Sequence, residues 1–355
     1  MTIAAMLLVN NPGSWSYVYP PLRHAEWHGW TPTDLVFPFF LFIVGLSLSL
    51  SFSRRREAGI PPRGLYRKVS SRAAAIFGLG LFLQLFPRFR FSTFRIPGVL
   101  QRIALCFFFG ALIYLATRAR TRLRIFICLG MLGAYWALLT FVPVPGFGPG
   151  VLAPKGNLCG FIDAKLLGGH LYLPGFDPEG ILSTLPAIVT VLMGTLAGDW
   201  IRSGRPVQVK GLGILSAGIP LIAVGLILHP FFPINKQLWT STYVLFSGGA
   251  ALLFFGICYL IVEAYGVRKW SSPFLILGTN AIAVFAGSTL MVKLLFLIRV
   301  HDAGKAISPP GYLYAHILFP AAGPYLGSLA YAVLFTLVWI LLGRPLYKRK
   351  IFIRL

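Results

Sequence analysis

Acidic residues are scarce in this chain: nine Asp and Glu stand against 32 Lys and Arg in 355 residues. Charge of either sign makes up only 12% of the sequence, while 57% is hydrophobic. So few polar side chains could not cover a water-soluble surface of this size, which excludes an ordinary soluble domain. Cysteine is scarce too. Cys106, Cys128 and Cys258 fall within apolar runs, where a thiol behaves as a small hydrophobe, and Cys159 is placed in an exposed loop. No CxxC pair occurs, so neither a disulfide framework nor a thiol metal site is supported. Internal repeats, low-complexity tracts and a cleavable signal peptide are also absent, and residues 1–355 read as one domain.

What is abundant is long apolar sequence. Runs close to the length that spans roughly 30 Å of hydrocarbon occupy residues 33–52, 73–87, 97–117, 125–142, 181–200, 211–229, 238–264, 272–297 and 318–342. Residues 2–9 read as a short or cut-short tenth. The expected fold is an all-α polytopic membrane bundle of about ten transmembrane helices.

The net charge of +23 is distributed as membrane topology requires. Twenty-one of the 32 basic residues lie in 54–72, 118–124, 202–210, 268–269 and 344–354, in alternate connections. The positive-inside rule assigns these to the cytoplasm, together with the C-terminus, and removes the need for a nucleic-acid partner. Residues 10–32, 143–180, 230–237 and 298–317 then lie outside. They carry His24, His28, His170, His301 and His316, and most of the carboxylates, so the titratable chemistry gathers on the outer face.

Four segments stand out. In HAEWH, His24 and His28 share a spacing of four, but Glu26 is not where a zincin has its base, and neighbouring Pro and Gly oppose a long helix, so no metal is expected. Interfacial anchoring by Trp15, Trp27 and Trp30 accounts for the same segment. Asp34, one or two residues into a span, is either a partnered functional carboxylate or a dipole-favoured helix start. In FRIPGVLQRIALCF, Arg95, Gln101 and Arg102 enter a span from the outer side, and Arg102 pairs, clamps an anion or snorkels. In YLPGFDPEG, Asp177 and Glu179 are either a sugar-holding acid and base or a turn before a helix. PINKQLWTSTY places Asn235, Lys236 and Trp239 at the mouth of another span, and Asn280 is a polar group inside a span that needs a partner.

These residues reach as far as a helical bundle with a polar outer pocket and a basic inner face. The blocks NNPGSW, LRHAEWHGWTPTDLVFPFFLFIVG, RIPGVLQRIAL, GNLCGFIDAKLLGGHLYLPGFDPEGILSTLPAIVTVLMGTLAG and PINKQLWTSTYVLFSGG resemble, in order, those of the heparan-alpha-glucosaminide N-acetyltransferase family. The chain is similar to a compact bacterial member without the large lumenal N-terminal part. The resemblance implies transfer of acetyl from cytosolic acetyl-CoA to the amino group of a terminal glucosamine across the membrane, in a bacterial plasma membrane. It implies His24 as the catalytic histidine and Asn10 as a polar partner at the same site. Asp34 would orient His24; Arg102 and Gln101 would line the pocket; Asp177, Glu179, Asn235, Lys236, Trp239 and Asn280 would contact substrate. The expected partners are acetyl-CoA, an amino sugar and the bilayer, with a homodimer left open. Two departures accompany the likeness: no DxxRG element precedes Thr2, and Phe161-Ile162-Asp163-Ala164 stands where the family commonly reads YIDR. A transporter of a sugar or lipid precursor is the competing reading, and an O-acyltransferase a third.

Overall fold

A computed structural model describes residues 1–57, 62–117, 120–302 and 305–353. Arg118 and Arg354 of the basic clusters lie outside the described residues, as do the side chains of Arg54, Arg55, Arg56, Arg63 and Asp302. The chain forms helices α1 (Thr2–Asn10), α2 (Val36–Glu57), α3 (Pro62–Leu85), α4 (Val99–Thr117), α5 (Thr121–Phe141), α6 (Leu158–Leu167), α7 (Thr184–Ile201), α8 (Val207–Ile227), α9 (Ser241–Tyr259), α10 (Ser272–Gly278), α11 (Ala281–Leu297), α12 (Pro309–Leu313) and α13 (Phe319–Lys348). The only strands among the described residues are the hairpin β1 (Val300–Asp302) and β2 (Lys305–Ile307). The protein is an all-α polytopic membrane bundle.

Every expected span falls on a helix, but fewer than ten qualify by length and apolarity. Among the described residues seven do, or eight when α10 and α11, bent by 69°, count as one broken span. The shortfall has two causes. α3 carries Arg67, Lys68 and Arg72 in its first half, so its apolar part is too short on its own. α1 has nine residues, about 13 Å at the α-helical rise, or roughly half a hydrocarbon core.

Two compact units divide the chain: residues 1–24, 31–37 and 268–355, and residues 25–30 and 38–267. In the first, α1 packs on α10, α11 and α13. In the second, α7 is central, packed on α4, α5 and α9, with α8 against α9 and α3 against α4. Gly45 of α2 and Gly194 of α7 permit these helices to touch backbone to backbone, since a β-carbon at either would collide with main-chain atoms of the other. A cluster of Tyr135, Leu139, Val144, Leu158, Cys159, Phe176, Phe232 and Leu238 closes one end of this unit, with Trp27 packed on it. Cys159 is therefore buried rather than exposed, and burial raises its thiol to about 12.

One residue counted among the topological charges serves packing instead. Arg124 is wholly buried; it donates to Asp199 (2.8 Å) and Thr195 (3.1 Å) and lies 4.5 Å above the Tyr114 ring. Ser49 and Tyr114 complete the shell of Asp199 at 2.6 and 2.8 Å.

Candidate active site

The segment before α2 is organised by one carboxylate. Pro32 fixes the first turn of a short 3-10 helix, Pro32–Leu35, that leads into α2. Asp34 sits at its third position and closes a capping box: its Oδ2 accepts from the Thr31 backbone N–H (3.0 Å), with the Thr31 hydroxyl oxygen 3.1 Å away. Its Oδ1 lies 2.7 Å from His24 Nδ1. Thr31 also donates to the Arg23 carbonyl (2.6 Å) and Thr33 to the Pro21 carbonyl (3.1 Å), so the turn bearing His24 is pinned on both sides. Asp34 is thus both partnered and part of a helix start, one oxygen serving each.

The asymmetry of burial gives this pair its chemical character. Asp34 is 1% exposed and the His24 side chain 48% exposed. A buried carboxylate at Nδ1 selects the tautomer that donates there, which leaves Nε2 as the proton acceptor. Asn10 ends α1 and is exposed.

In the second unit, the stretch 25–30 is stitched to the loop before α9. Asn235 donates to the Trp27 carbonyl (2.9 Å), Gly29 N–H to the Ile234 carbonyl (2.8 Å), and Gln237 to the Glu26 carbonyl (3.0 Å). Gly29 has φ of +93°, a conformation closed to most residues. His28 approaches Asn235 Nδ2 at 3.3 Å; burial, then the neighbouring His229, holds its pKa below the usual histidine value. Asn235 is fully buried and its Oδ1 also caps Leu238 N–H (2.8 Å), so this amide ties backbone together. Lys236 is half-buried, with its carbonyl accepting from Trp239 N–H.

Arg102 is 1% exposed and does not snorkel. Its Nη2 donates to Ser183 and to the Gly180 carbonyl (3.1 Å), and its guanidinium lies 5.2 Å above the Trp239 ring, while Nε and Nη1 find no partner. Trp239 holds φ of +53° and donates to Thr190 (3.3 Å), an unusual backbone state for a buried tryptophan. Gln101, adjacent in sequence, points elsewhere: its side chain lies in the α3–α4 contact against Gly80 and Gly98, with Nε2 unpaired.

Asp177 and Glu179 are gathered by a residue the sequence reading did not single out as a site. Arg95 donates to Asp177 through Nε (2.8 Å) and Nη2 (2.6 Å) and to Glu179 through Nη2, and lies over the Tyr172 ring at 4.7 Å. Asp177 accepts further from Tyr172 and Glu179 backbone N–H groups, both at 2.9 Å. Burial disfavours the Arg95 charge, but the two carboxylates outweigh it and raise its pKa. The three side chains form a clamp on the loop before α7, one guanidinium being shared between two carboxylates.

Two more groups went unassigned. Asp163 on α6 is fully buried; Oδ1 accepts from Ile181 N–H (2.8 Å), Oδ2 has no partner, and a β-carbon at Gly180 would collide with it. Burial raises its carboxyl to about 6. Tyr135 donates to the Leu238 carbonyl beside Cys159. The block containing FIDA signalled Asp163; nothing local signalled the partners of Arg95, which lie 82 and 84 residues away. Asn280 proves to bind the chain's own tail, donating to the Ile351 carbonyl (3.0 Å) and accepting from Ile353 N–H (2.7 Å). Among the described residues no three His, Cys, Asp or Glu side chains converge as metal ligands would.

The profile of one family, the catalytic region of heparan-alpha-glucosaminide N-acetyltransferase, matches residues 5–226, which include Asn10, His24, Asp34, Gln101, Arg102, Asp177 and Glu179. Human heparan-alpha-glucosaminide N-acetyltransferase is 28% identical over 411 residues, covering 99% of this chain, and its mouse counterpart is 27% identical over 413. The chain spans 58% of the length of these curated relatives. With its profile matched over more than half its length, the chain belongs to the heparan-alpha-glucosaminide N-acetyltransferase catalytic family.

Proposed function

We propose that this chain is a transmembrane N-acetyltransferase that moves acetyl from acetyl-CoA to the amino group of a terminal glucosamine or related amino sugar. The observation that carries the reading is the His24–Asp34 pair: a half-exposed imidazole, 2.7 Å from a carboxylate that is itself buried and held by the Thr31 backbone N–H. An amino sugar arrives as an ammonium and must lose a proton before its nitrogen can attack a thioester carbonyl. Nε2 of His24 takes that proton, and Asp34 holds the ring and stabilises the imidazolium. The C–N bond then forms as the C–S bond breaks; the nitrogen's second proton passes to the departing sulfur, so that CoA leaves as the thiol, and His24 releases the first proton to solvent. Asn10 is proposed to donate to the developing oxyanion. Acetyl-CoA is drawn from the cytoplasm, where the positive-inside reading places the basic clusters and the C-terminus.

The test is incubation of purified protein with radiolabelled acetyl-CoA and glucosamine in detergent. Label is expected in N-acetylglucosamine with wild type and at background with His24→Ala. Failure to bind acetyl-CoA or to acetylate any amino sugar would overturn the proposal in favour of a transporter, and a product labile to mild base would point to a hydroxyl acceptor.

A further inference from the structure

We propose that the loop following α3 is a binding site for an anionic phospholipid, its phosphate held by Arg88 and Arg90 and its acyl chain laid on a ladder of phenylalanine rings. Residues 58–162 contain thirteen Lys and Arg and no Asp or Glu, so this part of the chain has no local counter-ions. Arg95 and Arg124 find theirs in later segments. Arg88 and Arg90 are both exposed and make no ion pair among the described residues.

Around these guanidiniums the surface is apolar. Phe82, in the last turn of α3, touches Phe86 (centroids 6.0 Å) and Phe89 (6.3 Å), and Phe86 touches Phe89 (6.4 Å). Phe82, Phe89 and Phe91 are 42%, 46% and 67% exposed. Phe89 N–H bonds the Leu85 carbonyl (2.8 Å) and the residue takes φ of +48°, the left-handed helix-ending position that glycine normally fills. A phenyl ring placed there costs backbone energy and keeps its face outward beside two arginines. Bare phenyl rings offer a hydroxyl-rich sugar no hydrogen bond, but they continue the apolar surface of a helix end and suit an acyl chain. Two unneutralised guanidiniums in the same short loop suit a phosphate. Since an anionic headgroup brings no cation of its own, it gains more there than a zwitterionic one.

The experiment is native mass spectrometry of protein released from nanodiscs of equal phosphatidylglycerol and phosphatidylcholine. Wild type is expected to retain phosphatidylglycerol preferentially, and the exposed double variant Arg88→Gln/Arg90→Gln to lower that preference about tenfold. Arg67→Gln/Lys68→Gln, at the other end of α3, is expected to leave it unchanged. Phe89→Gly, which relieves the left-handed residue while removing a ring, should keep the fold and lose part of the preference. Equal retention by wild type and the double variant would overturn the proposal. So would a Phe89→Gly protein with undiminished preference, which would reduce the effect to diffuse charge. Displacement of the lipid by soluble dextran sulfate at matched charge would also overturn it and assign the patch to a polyanion. None of these outcomes depends on acetyl transfer.

Discussion

The chain pairs buried carboxylates with basic side chains in two contrasting ways. At Asp177 and Glu179 a single arginine bridges both acids, backbone N–H groups fill the remaining lone pairs of Asp177, and an aromatic ring covers the guanidinium. At Asp34 the carboxylate is equally buried and capped, but its partner is an imidazole left half open. Removing the shared arginine leaves the buried Asp177 charge unpaired. The histidine pair instead leaves its imidazole half exposed. Removing each partner in turn should therefore separate chemistry from stability.

The largest effect is expected from His24→Ala, which should lower acetyl transfer by roughly a hundred- to ten-thousandfold with little change in melting temperature, since the side chain is half exposed. Asp34→Asn should follow at roughly a hundredfold in kcat, because the amide favours the wrong tautomer; a kcat loss without one in KM would sharpen the distinction, and an unchanged kcat would break it. Arg95→Gln inverts the pattern. It strands the buried Asp177 charge and should cost about 3 kcal/mol of stability, visible as a melting shift even without substrate.

The buried Asp163 gives a pH signature. Its carboxyl titrates near 3.8 when free and at about 6 in the fold, so between pH 4 and 6 the folded state keeps a proton that the unfolded state has lost. Stability should thus fall as pH rises through that window, by up to about 3 kcal/mol, and Asp163→Asn should flatten the curve in pH-dependent melting. Glu179→Gln is expected to be smallest, within about 1 kcal/mol, because Arg95 retains its two bonds to Asp177.

Much of this was legible beforehand. The apolar runs located every spanning helix because a bilayer demands long, internally bonded segments, and that demand is written locally. The link between Asp34 and His24 came from the family resemblance, and the fold sets the two side chains 2.7 Å apart. Arg102 was expected to face the bundle or snorkel, and the fold chose the bundle. Asp177 and Glu179 read equally as acid and base or as a turn, because Arg95 lies some eighty residues upstream and no spacing rule joins them. Asn280 announced that it needed a partner without saying that the partner was the tail.

The sequence by itself determined the membrane class, the helical segments, the capped turn before α2 and the family blocks, because each depends on composition or on contacts within a few residues. Only the tertiary structure decided which charges are spent. Arg124 was taken from the topological count by Asp199, Cys159 passed from an exposed thiol to a buried one, and His24 stayed half open. Burial and pairing depend on which distant helices pack together, and a charge has the same letter in the sequence whether it is neutralised or free.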